Sequence, residues 1–263
     1  MLKLAAALSR GLPLPCDDDK EYEPIHIIYQ TAEDGIEDTI KPRLEKAGAN
    51  CFMIRVIDET DKELSMTDDR LEQAIIETKA RLIILDPIQA YIGATVDMHR
   101  ANEIRPVLKH LGMIAEKYNC AIVLIGHMNK AAGSKSTYRG LGSIDIQATA
   151  RSVLLVARLR DKPNIRIMAH DKSSLAPTGD AIGFEMTEES GMICITWKCR
   201  YVEYNVVYGQ FQSVPQEESN SCHSNCDKEI FCHPLYEEDI RNQDKNYIPM
   251  CKPFRRFITK QKD

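Results

Sequence analysis

The chain has 263 residues, 43% hydrophobic and 28% charged, enough for one substantial core with a small appendage. A formal net charge of -5 and a pI near 5.9 exclude nucleic-acid binding through a global basic field, and leave it to a local patch or a ring of subunits. No apolar run approaches the roughly 20 residues of a membrane span, which excludes an integral helical membrane protein.

The opening MLKLAAALSRGLPLP lacks a long apolar segment and a small-residue cleavage site, so it does not read as a signal peptide, and cytoplasm is the expected location. Residues 2–10 are strong helix formers without an amino-terminal cap, stopped by Gly11, Pro13 and Pro15. After the polar CDDDKEYE, the run PIHIIYQTAEDG passes from apolar to polar as a short buried strand does at its carboxyl end. IEDTIKPRLEKAGA resembles a helix in which Pro42 imposes a kink or a late start. FMIRVID is a second strand candidate, and TDDRLEQAIIETK an amphipathic helix capped by Thr67 or Asp68.

RLIILDP is the most apolar strand of this half. A long helix over ANEIRPVLKHLGMIAEKYN leads to the strand CAIVLIGH, and SIDIQATA to RSVLLVARLR; NIRIMAHDK, AIGFEM and MICITWK then read as antiparallel strands closing the sheet. This order predicts an α/β domain over residues 1–198 with a mainly parallel sheet, whose ligands gather at the carboxyl ends of the strands. From Cys199 to Asp263 no period of either kind is sustained, and this segment reads as a separate irregular tail, either loose or the product of a shifted reading frame.

Five of the nine cysteines lie in that tail, and the odd total points to reduced thiols rather than a disulfide framework. The tail's Cys222, His223, Cys226, Cys232 and His233 are soft ligands, but their spacing does not match paired zinc knuckles.

Asp86 ends the run LIIL and precedes a proline, where a carboxylate can either cap a turn or hold a hydrated magnesium ion beside a triphosphate. Glu33 follows the IHIIYQ strand and could act as general base on an attacking water. Asp34 is its near competitor, and both acids equally suit the amino end of the next helix. His127 and Asn129 stand at and just beyond another strand end, placed to sense a terminal phosphate. Lys130, Lys135 and Arg139 lie among glycines in a loop suited to a phosphate backbone. GSKS at 133–136 is not a phosphate loop, because Ser134 separates glycine from lysine and no strand-to-helix frame surrounds it. Lys172 reads as a cation at a tip between two strands, where it could reach a phosphate on a neighbouring subunit.

Taken together, YQTAEDGIEDTIKPRLEKAGA, RLIILDPIQAYIG, AIVLIGHMNKAAGSKSTYRGLGSIDIQATARSVLLV and HDKSSLAPTGDAIGFEM resemble the RecA-like AAA-type ATPases of phages, plasmids and integrated elements, akin to RepA-type and DnaB-type hexameric helicases, over residues 2–198. The resemblance implies a RecA-like P-loop core, with ATP and Mg as cofactors and a homo-oligomeric ring acting on single-stranded DNA. It implies Asp86 as the Walker B aspartate, Glu33 as the catalytic glutamate, and His127 with Asn129 as the sensor segment. Residues 130–139 correspond to the DNA-facing loop and Lys172 to the intersubunit finger.

The family's phosphate loop runs into a helix reading much like LKLAAALSRGLPLP, which puts Met1 a few residues beyond a missing loop and first strand. Without that cradle this chain alone is expected to bind Mg-ATP weakly or not at all. A non-catalytic DNA- or ring-interaction module, or a recombination and repair ATPase on the same fold, are the other readings.

Overall fold

A computed structural model describes residues 1–15, 20–127, 144–159, 162–189, 192–198, 204–207 and 210–213. Helix α1 (Leu2–Ser9) turns Leu4, Ala5 and Leu8 inward and has no side-chain cap, as its sequence predicts. Its end depends on Gly11, which has φ +68° and lies so close to the Tyr22 carbonyl that a Cβ there would sit 1.9 Å from the oxygen.

The first strand, β1 (Ile27–Thr31), is buried over its first four residues. A π-helical turn over Ile36–Ile40 runs into α2 (Lys41–Lys46), with Pro42 in the first turn of α2, so the proline marks a late α start rather than a kink. The predicted strand FMIRVID shortens to β2 (Ile54–Arg55), because Cys51–Met53 curl into a 3-10 turn in which the Asn50 side chain accepts the Phe52 N–H. Helix α3 (Asp69–Thr78) is capped by Asp68, whose Oδ1 accepts the Arg70 N–H at 3.0 Å, settling the choice between Thr67 and Asp68.

Strand β3 (Leu82–Asp86) leads into the short α4 (Ile88–Tyr91). The long α5 (Ala101–Lys117), with Pro106 inside it, returns the chain to β4 (Ala121–Leu124). All pairings in the first sheet are parallel and its order is β2-β1-β3-β4, with β1 and β3 in register from Ile27↔Leu82 to Thr31↔Asp86. Side chains alternate across the sheet. Ile27, Tyr29, Leu82 and Ile84 pack under α1, whereas Ile28, Ile83 and Leu85 pack against Leu71 and Ile75 of α3 and Ile104 and Leu111 of α5. This is a three-layer α/β core.

Beyond it, α6 (Ile144–Thr149) precedes β5 (Ser152–Arg158), β6 (Ile165–Ser173), β7 (Ile182–Glu189) and β8 (Met192–Lys198). The antiparallel pairing predicted for β6, β7 and β8 is present and takes in β5 as well, but instead of closing the parallel sheet the four strands form a sheet of their own in sequence order, with no ladder to the parallel sheet among the described residues. Apolar packing joins the two, as Met168, Ile182 and Trp197 enter the cluster beneath α1. Within the segment read as an aperiodic tail, β9 (Tyr204–Val207) and β10 (Gln210–Ser213) form an antiparallel pair. Among the described residues Cys51, Cys120 and Cys194 are free thiols, and no helix is long and apolar enough to cross a membrane.

His170 of β6 is buried and accepts the Gly179 N–H on Nδ1 at 3.3 Å, tying down the segment that leads into β7. Burial lowers its pKa from the ordinary 6.5. The unfolded chain therefore takes up the proton first as pH falls. The stabilisation is fully present above about pH 6.5 and is lost as pH drops through the lowered folded value. Melting curves of the wild type and His170→Gln between pH 7.5 and 5 should converge, with the wild type losing more.

Candidate nucleotide and metal site at the carboxyl edge of the parallel sheet

Because the sheet is parallel, β1, β3 and β4 all end on one edge. The ladder continues a little past the strands: Ala32 N–H donates to the Asp86 carbonyl at 3.1 Å, and Ile125 N–H donates to the Leu85 carbonyl at 3.0 Å. These bonds carry Glu33 and His127 out on either side of Asp86. Their side chains meet there, with Glu33 Oε1 3.5 Å from His127 Nε2, and both are more than half exposed. Asp34 turns away instead and pairs with Arg43 of α2 at 3.1 Å. Of the two neighbouring acids, Glu33 faces the strand ends.

Asp86 is half-buried, and its peptide bond to Pro87 is cis. Burial raises its pKa, while the Tyr29 hydroxyl donates to Oδ2 at 3.2 Å and acts in the opposite direction. Glu33 and His127 both lie within electrostatic reach of it. The amino end of α1 is there as well, since the Met1 amino group and the Asp86 carboxylate influence one another. A helix amino terminus offers N–H groups and a partial positive charge to an anion, so this edge combines a carboxylate with an anion-favouring helix end.

A magnesium ion suits this donor set. Mg²⁺ is commonly held by one or two carboxylates, with water and phosphate oxygens completing its shell. Among the described residues no group of three or more His, Cys, Asp or Glu could enclose a metal alone. Asp86 would hold the ion, with phosphate oxygens of a nucleotide and water completing its shell. The lysine-bearing phosphate cradle of such sites has no counterpart in these 263 residues, which contain no G-x-x-x-x-G-K-[ST] run.

Lys172 lies within β6, opposite Val153, rather than at a tip between strands. Its Nζ donates to the carbonyls of Gln147 and Ala148, at 2.9 and 2.6 Å, and so caps the end of α6. The same short helix is tied to α5 by Arg105 Nε, which donates to Asp145 Oδ1 at 2.6 Å. Asn129, Lys130, Lys135 and Arg139 lie outside the described residues, as do the cysteines and histidines at 222–233.

Two residues escaped the reading of the sequence. Tyr29 was legible only as an apolar strand position. Gln30, also buried, turns its amide to the backbone of Ile57, accepting its N–H at 2.6 Å and donating to its carbonyl at 3.2 Å. Gln30 also donates to Glu59 Oε1 at 2.5 Å, and Glu59 accepts the Leu64 N–H, so the segment after β2 is clipped to β1 one residue before Thr31. A buried polar residue in a central strand is the signal that marks both.

The three-layer core, with acids and a histidine gathered at the carboxyl edge of its parallel strands, is an α/β fold of the RecA-like kind, as its likeness to a replicative helicase structure shows. Residues 1–133 match the family model described as AAA domain, and the chain belongs to that family. No curated protein sequence matches it. Among solved structures, it resembles a DnaB-like replicative helicase, determined with its interactions with primase, at 14% identity and a TM-score of 0.50. That match covers 73% of this chain and 54% of the helicase, so the chain spans about half the helicase's length. The RadB recombinase is similar at 18% identity and a TM-score of 0.46, over 62% of this chain and 76% of that one. At these identities the likeness is one of fold.

Proposed function

We propose that this domain binds magnesium ATP at the carboxyl edge of its parallel sheet and belongs to the hydrolytic engine of a DNA-helicase-type replication protein from a mobile element, assembled as a ring on single-stranded DNA. The observation that carries the reading is the convergence of Glu33, Asp86 and His127 from three adjacent strand ends. In this reading Asp86 orients the hydrated metal, and the exposed Glu33 carboxylate takes a proton from the attacking water. His127, 3.5 Å from Glu33, would take the part of sensor toward a terminal phosphate. When bound, the metal neutralises charge developing on the phosphates. A finger role for Lys172 requires it to leave the carbonyls of α6 and turn to a neighbouring subunit's nucleotide. The loop carrying Lys130, Lys135 and Arg139, with Asn129 before it, supplies the DNA and sensor contacts.

The engaged Lys172 favours a second reading, a non-catalytic module that keeps the ring contacts and DNA loop without turnover. Single-turnover hydrolysis at high protein concentration separates them. The first reading expects magnesium-dependent phosphate release that Glu33→Gln slows by about 100-fold or more, with nucleotide binding retained. Release absent from the wild type, or unchanged by Glu33→Gln, favours the second.

A further inference from the structure

Tyr29 has no part in the roles assigned above, yet its hydroxyl is hydrogen-bonded to the site's central carboxylate. It lies on β1 opposite Ile84 in register, two residues before the position opposite Asp86. Residues two apart in a strand share a face and are separated by roughly 6.6 Å, a span that a tyrosine side chain lying along the strand covers. Serine or threonine would fall short and phenylalanine would bring no donor. The ring is packed in the cluster with Leu4, Leu8, Ile27 and Ile84 and is only 3% exposed, so the hydroxyl arrives at Asp86 Oδ2 from a fixed direction. Among the described residues Asp86 Oδ1 takes no hydrogen bond and stays available.

We propose that Tyr29 is a positioning residue for Asp86, its buried hydroxyl holding one carboxylate oxygen so that the other faces the divalent metal. This inference rests on the reading of Asp86 as the metal-side carboxylate. A simple alternative is that Tyr29 is a core aromatic whose hydroxyl happens to find a partner. The two differ in what happens to the metal when only the hydroxyl is removed. Groups that orient a metal ligand typically contribute 10–100-fold to metal affinity, whereas a core aromatic contributes to packing alone.

The test titrates Mn²⁺, with ATP present, into the full 263-residue chain and follows paramagnetic broadening of the methyl signals of Ile84 and Ile88, two residues either side of Asp86. This readout does not need turnover. Wild type, Tyr29→Phe and Asp86→Asn are compared, and thermal melting is recorded in parallel. The expected result is an Mn²⁺ midpoint about tenfold higher in Tyr29→Phe, and site broadening abolished in Asp86→Asn. Should Tyr29→Phe fail to fold, Tyr29→His, which keeps a ring and a donor but shortens its reach, is expected to show the same rise. A midpoint within twofold of wild type in the folded variant overturns the proposal. Broadening as strong in Asp86→Asn as in wild type removes the metal reading of Asp86 itself, and the inference with it; that failure is separately recognisable.

Discussion

Asp86→Ala is expected to abolish the magnesium-dependent part of nucleotide binding while leaving the fold intact. The carboxylate stands at the end of β3, half-buried, with Tyr29 on one oxygen and Glu33 and His127 close by. Among the described residues, the neighbouring acids at this edge are engaged elsewhere. Glu33 lies against His127, Asp34 is held by Arg43, and among the described residues no cluster of ligands could retain the ion alone. A loss of about tenfold or more in ATP affinity in the presence of magnesium is expected, with little change in its absence. Burial disfavours the Asp86 charge, while its removal leaves the buried Tyr29 hydroxyl without its acceptor, so the two effects oppose one another and the melting temperature should change little. Isothermal titration with and without magnesium, beside a melting curve, checks both halves.

Ile83→Ala is expected to have the largest effect on stability. Ile83 sits in the middle of β3, between β1 and β4, with no exposed surface, and its side chain reaches the core shared with α3, α4 and α5. Strands on both sides and helices above leave little room for collapse into the vacated space. Large-to-small changes of this kind cost about 2–5 kcal/mol, which in a domain of this size lowers the melting temperature by about 5–15 °C. Ile76→Ala, on the exposed face of α3, is the control and should stay within about 0.5 kcal/mol. Equal losses in the two variants would show that the β3 face is not the core it is described to be.

The strands that build the site were legible because a strand buried on both faces of a parallel sheet reads as a near-continuous apolar run ending in polar residues, as IHIIYQTAED and LIILDP do. That same reading hid Tyr29 and Gln30. Within an apolar run each passes as one more buried position, and only the neighbouring strand shows where the hydroxyl and amide go. The choice between Glu33 and Asp34 was open for a related reason. The two acids are adjacent in sequence, and the partner that separates them, Arg43, comes from the following helix.

Boundaries failed where local chemistry overrode the pattern. FMIRVID is apolar enough for a strand, but Asn50 captures the Phe52 N–H and turns its first residues into a 3-10 turn, leaving Phe52 88% exposed. The split into two sheets was not legible, since strand pairing is decided by contacts that no single strand encodes. Lys172 reads as free in the sequence because it stands among polar residues near the end of its strand, and its two acceptors are backbone carbonyls of another element, which sequence does not display.

The most direct test of the account is the affinity of the full 263-residue chain for ATP, measured by titration calorimetry with and without magnesium. With Glu33, Asp86 and His127 in place but no lysine-bearing phosphate cradle in the sequence, the expected result is weak binding that depends on magnesium, with a Kd above about 100 µM, far from the −8.2 kcal/mol of a roughly micromolar site. Low-micromolar binding would contradict the account by showing that the phosphates are held without that cradle. Binding indifferent to magnesium would contradict it by showing that Asp86 does not hold the metal.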